Sequence, residues 1–91
     1  MTINISKKIV ELYDKTGKNP NSCLSFILES IDPDASSSTM SLIEECAFSG
    51  EKISFSVDDN NIKYIKALFG KDNIELTAER LLWVALLWPE I

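Results

Sequence analysis

Residues 81–88 read Leu-Leu-Trp-Val-Ala-Leu-Leu-Trp, an unbroken apolar run with Pro89 directly behind it. A helix over this run is apolar on every side, and such a helix belongs in the middle of a core. At about 12 Å it is too short to cross a bilayer. The run therefore predicts a central final helix, capped by Thr77, with Leu76 stapled to Leu81 and an end at Trp88. Trp83 and Trp88 point in different directions on that helix. One is expected to anchor the core and the other to lie near the surface, where an exposed Trp is a frequent binding hot spot.

The rest of the chain must supply the layers around this helix. With 91 residues, 45% of them hydrophobic and 25% charged, there is material for one core and a single domain spanning residues 1–91. Ile5, Ile9 and Leu12, with Val10 and Tyr13 beside them, repeat at helical spacing and predict a helix over about 5–15, ended by Gly17. Asn19-Pro20 then offers a cap and a first-turn proline for a second helix carrying Leu24, Ile27, Leu28 and Ile31, stopped by Asp32-Pro33. Met40, Ile43 and Ala47 predict a third, ending near Ser49 before Gly50. Asp58-Asp59-Asn60 would cap a fourth, with Ile62, Ile65, Leu68 and Phe69 on its buried side and Gly70 at its end. The fold class is mainly α, a compact bundle of about five short helices.

One segment changes period. Ile53, Phe55 and Val57 alternate with Ser54 and Ser56, so residues 52–57 read as a small β element with one apolar face. A lone strand leaves its backbone groups unpaired. Two solutions are open: an internal ribbon with residues 72–77, where Ile74 and Leu76 alternate, or an edge that accepts a strand from another protein.

Much chemistry is closed to this composition. The chain has no His, which removes Ser-His and Cys-His catalysis and His-ligated metal sites. Cys23 and Cys46 are too few for a four-ligand zinc site and lie in no C-x-x-C arrangement. They read as ordinary buried thiols, with a disulfide or a reactive thiol as the alternatives. Gly17-Lys18 and Gly70-Lys71 lack the earlier glycine of a phosphate loop. Asp32-x-Asp34-x-Ser36 begins like a calcium loop, but Ser37 and Ile43 stand where the turn glycine and the bidentate Glu are needed, so cap and turn duty explains it. The same duty accounts for Asp58 and Asp59. Glu44 and Glu45 are adjacent, so on a helix they diverge by about 100° and do not converge on a substrate. No enzyme and no cofactor or metal is expected.

Charge is the most informative feature. The chain carries nine Lys and Arg against fourteen Asp and Glu, a net charge of −5. Between residues 21 and 60 only Lys52 is basic, against Glu29, Asp32, Asp34, Glu44, Glu45, Glu51, Asp58 and Asp59. Such a field repels a phosphate backbone and steers a basic protein, and Arg80 is the sole arginine. The residues expected to meet the partner are Asp32, Asp34, Glu44, Glu45, Glu51, Asp58 and Asp59, with Trp88 as an apolar anchor. The start of the chain lacks the pattern of a secretory signal, which points to the cytoplasm. The resulting expectation is a small acidic cytoplasmic binding protein that occludes a basic partner, in the manner of an immunity protein or antitoxin acting on a nuclease toxin, without touching nucleic acid or membrane. The alternative is a structural or regulatory subunit that forms a homodimer through the apolar final helix.

Overall fold

The computed structural model describes residues 1–31 and 50–87. The order of elements is β1 (Thr2–Ser6), α1 (Lys7–Thr16), α2 (Pro20–Ser30), β2 (Lys52–Ser56), α3 (Asp59–Phe69) and α4 (Ile74–Leu86). The described residues are thus mainly helical, with four helices against the about five expected, and a small antiparallel sheet. The helix expected to end near Ser49 lies outside the described residues. Among the described residues no helix is long and apolar enough to cross a membrane.

The first difference from expectation is at the start. Ile5 belongs to β1, and α1 begins only at Lys7. Ile5 satisfies two patterns at once, a helical one with Ile9 and an alternating one with Ile3. The pairing decides between them: Ile3 faces Phe55 and Ile5 faces Ile53 across the ladder. Both isoleucines are buried as a result. β1, rather than residues 72–77, is therefore the internal partner of β2. Within α1 it is Ile9 and Tyr13 that reach the core, and Gly17 closes the helix at a φ of 71°, its N–H donating to the Tyr13 carbonyl.

α2 and α3 begin where their sequence signals place them. The Asn19 side chain accepts the Ser22 N–H at 3.1 Å ahead of Pro20, so the predicted cap is formed. Cys23, Leu24, Ile27 and Leu28 are its buried face. α3 starts at Asp59 with Ile62 and Ile65 buried, and Gly70 follows it at a φ of 89°.

α4 is central, as the apolar run requires, and packs against β1, α1, α2 and α3. Ala78, Leu81, Leu82 and Ala85 form its buried stripe at helical spacing. Trp83, Val84 and Leu86 are half-buried against the core, while Leu87 is 65% exposed. Its beginning differs from expectation. The helix starts at Ile74 behind Asn73, which holds the left-handed conformation at φ 60°, so Thr77 is a buried interior residue and not a cap. Leu76 then also lies inside the helix and cannot serve as a staple outside it.

Candidate functional site

The antiparallel register sets which backbone groups of the sheet face inward. Met1 and Val57 exchange backbone hydrogen bonds, and Lys7 donates to Glu51, so the residues between them alternate. The N–H and C=O groups of Ile3, Ile5, Ile53 and Phe55 serve the β1–β2 ladder. Those of Thr2, Asn4 and Ser6 face one outer edge, and those of Lys52, Ser54 and Ser56 the other.

The β1 edge is covered by carboxylates. Glu75 Oε2 accepts the Asn4 N–H at 2.5 Å, and Glu79 Oε1 accepts the Ser6 N–H at 2.6 Å. The spacing is reciprocal: two acids one helical turn apart meet two strand donors two residues apart. Glu79 has no exposed surface, and Lys52 Nζ lies 3.5 Å from its Oε1. Glu79 Oε2 is buried without a hydrogen-bond partner, as is Arg80 Nε. Neither Glu75 nor Glu79 was among the residues singled out from sequence. The usable signal was an acid at position 79, flanked by Ala78 and, one turn on, Leu82, two positions ahead of the apolar run that begins at Leu81.

The end of β2 is tied to α2 by one side chain. Asn21 Nδ2 donates to the Ser56 carbonyl at 3.1 Å, and its Oδ1 accepts the Asp58 N–H at 2.9 Å. Buried Asn61 donates through Nδ2 to the Asn21 carbonyl at 3.1 Å and accepts the Ser25 hydroxyl at 2.8 Å. These bonds engage the floor of a depression of about 330 Å³ between α2 and α3, walled by Glu29, Asn60, Lys63 and Tyr64. No sequence signal distinguished Asn21 or Asn61 from ordinary surface amides.

Of the expected partner-binding residues, three are described. Glu51 precedes β2, and its carboxylate lies 3.5 Å from Lys7 Nζ while remaining 69% exposed. Asp58 follows β2 and occupies the N-cap position of α3, yet its side chain makes no capping bond. Asp59 stands in the first helical turn, 3.2 Å from the Met1 amine and 87% exposed. Acidic groups thus bracket β2, with Glu51 at one end and Asp58 and Asp59 about 20 Å away at the other. Asp32, Asp34, Glu44, Glu45 and Trp88 lie outside the described residues.

Cys23 is a buried thiol, free among the described residues, and Cys46 lies outside them. Burial pushes the thiol up, opposed by the charge of Lys18, so it is poorly suited to act as a nucleophile at neutral pH. Burial likewise pushes the Tyr13 phenol up; its hydroxyl donates to the Leu82 carbonyl at 2.6 Å. Among the described residues no three carboxylate or thiol groups gather as metal ligands.

No family model, curated protein or solved structure matches the chain. The described residues contain nine basic side chains and nine acidic ones, an even balance. The excess negative charge of the protein belongs to Asp32, Asp34, Glu44, Glu45 and Glu90. Residues 32–49 carry four of these and no cation, and the neighbouring Glu29 and Glu51 are exposed.

Proposed function

We propose that this protein is a small acidic binding protein that neutralises a basic protein partner by covering it, as an immunity protein or antitoxin covers a nuclease toxin. The observation that supports this reading is the segregation of charge. A frame with equal numbers of acids and bases carries a segment, residues 32–49, that is wholly anionic, with exposed Glu29 and Glu51 beside it. A nuclease must present cations to hold its substrate phosphates, and those cations are the natural target of such a segment. Its carboxylates would steer and accelerate encounter, and shorter-range contacts would slow release. The action is occlusion without catalysis, in the cytoplasm where the partner would otherwise meet nucleic acid. Self-association through the final helix is less well supported, because Leu81, Leu82 and Ala85 are already committed to the core.

The test begins with isolation of the native partner at low salt, followed by association kinetics for wild type and for a variant carrying Glu44→Lys, Glu45→Lys, Asp58→Lys and Asp59→Lys. The expected result is a basic partner whose association slows by about tenfold or more in the variant and by a similar factor in high salt. An anionic partner, or equal association rates for two folded proteins, would overturn the proposal. Sedimentation of the protein alone separates the alternative, which requires a concentration-dependent dimer.

A further inference from the structure

The two outer edges of the sheet are unequal. On β1 the outward N–H groups of Asn4 and Ser6 are occupied by Glu75 and Glu79. On β2 the outward carbonyl of Ser56 is taken by Asn21, but among the described residues nothing bonds to the outward N–H or C=O of Ser54, which is exposed. The apolar face is unfinished on the same side. Ile3 and Ile5 are 2% and 0% exposed, whereas their cross-strand neighbours Phe55 and Ile53 are only half-buried. An open edge with adjoining apolar side chains is the template for strand addition, in which backbone bonds give affinity and alternate side chains give choice.

Charge selects the occupant. Glu51 stands at one end of this edge and Asp58 at the other. A second copy pairing antiparallel about Ser54 would bring Glu51 of one chain beside Val57 and Asp58 of the other, placing like charges together at both ends. A segment with cations at its ends meets the opposite sign at both. We infer that the outer edge of β2 receives an extended segment of the basic partner as a third strand, with apolar side chains beside Ile53 and Phe55 and Lys or Arg opposite Glu51 at one end and, opposite Val57, next to Asp58 at the other. This rests on the basic-partner reading proposed above and names where on the molecule that partner docks.

The probe is the end-capped peptide Lys-Thr-Val-Thr-Val-Thr-Lys, compared with its counterpart bearing Glu at both ends, while amide hydrogen exchange is followed at Ser54. The lysine peptide is expected to slow Ser54 exchange about tenfold or more, and the glutamate peptide to leave it unchanged. Ser54→Pro removes only an outward donor, so the β1–β2 ladder is retained, and the protection that the lysine peptide gives the outward N–H groups of Lys52 and Ser56 in the wild type is lost in the variant. Should that variant not fold, the double variant Glu51→Lys, Asp58→Lys serves instead and is expected to reverse the preference between the peptides. Unchanged Ser54 exchange, or equal protection by both peptides, would overturn the inference. Protection that rises with protein concentration in the absence of peptide would assign the edge to a second copy and overturn it as well. An isolated basic partner that binds wild type and folded Ser54→Pro equally would remove this docking site while leaving the basic-partner reading intact.

Discussion

The Glu79 carboxylate accepts the backbone N–H of Ser6 at 2.6 Å, which joins the central helix to the outer edge of the first strand. With Glu75 on Asn4 one turn away, α4 gives β1 the acceptors that a third strand would have supplied. A short strand edge is thereby closed without another strand, and the same helix buries Leu81 and Leu82 beneath it.

Glu79→Ala should be strongly destabilising, because it leaves the buried Ser6 N–H without an acceptor and empties a buried site. A loss of about 2–4 kcal/mol is expected by urea denaturation. Glu79→Gln keeps the acceptor oxygen and should cost less. An alanine variant as stable as wild type would show that the strand edge does not depend on this bond.

Alkaline pH should destabilise the fold through Tyr13. Its ordinary pKa is 10.0, and burial raises it in the folded protein, so above that pH the unfolded chain has lost a proton that the folded one retains. The stabilising contribution is whole below about pH 10 and declines as pH rises toward the folded-state value, by at most about 1.4 kcal/mol per pH unit. Tyr13→Phe should flatten that decline while costing about 1 kcal/mol at neutral pH for the lost bond to the Leu82 carbonyl. Equal alkaline slopes for the two proteins, measured by denaturation between pH 9 and 11, would contradict the assignment.

Asn21→Ala should loosen the junction between β2 and α3, since one side chain holds both the Ser56 carbonyl and the Asp58 N–H. Hydrogen exchange at Asp58 is expected to quicken by about tenfold, with a global loss of about 1–2 kcal/mol. Unaltered exchange at Asp58 would mean the turn is held by other contacts.

Much of the helical frame is legible in the sequence. Asn19-Pro20 marked the start of α2, Asp58 and Gly70 bracketed α3, and alternation from Ile53 located β2. The bracketing of β2 by Glu51 and Asp58 followed directly from where those acids stand in the chain. What could not be read was the role of Thr2–Ser6, because Ile5 fits a helix through Ile9 as well as a strand through Ile3. Thr77 misled for a related reason: it resembles a cap, but Glu75 and Glu79 find acceptor roles at the β1 edge if the helix starts earlier, at Ile74.

Local periodicity and capping depend on side chains within a turn or two of one another, so the order of residues alone specified α2, α3, the place of β2 and a final helix built on an apolar run. Strand partnership, the burial of Glu79 and the asymmetry of the two sheet edges came from folding, since each unites groups more than twenty positions apart. The contest at Ile5 shows the physical cause most plainly. Helix and strand were both locally acceptable there, and the choice fell to the strand because Ile53 and Phe55, distant in the chain, completed its ladder and buried its apolar face.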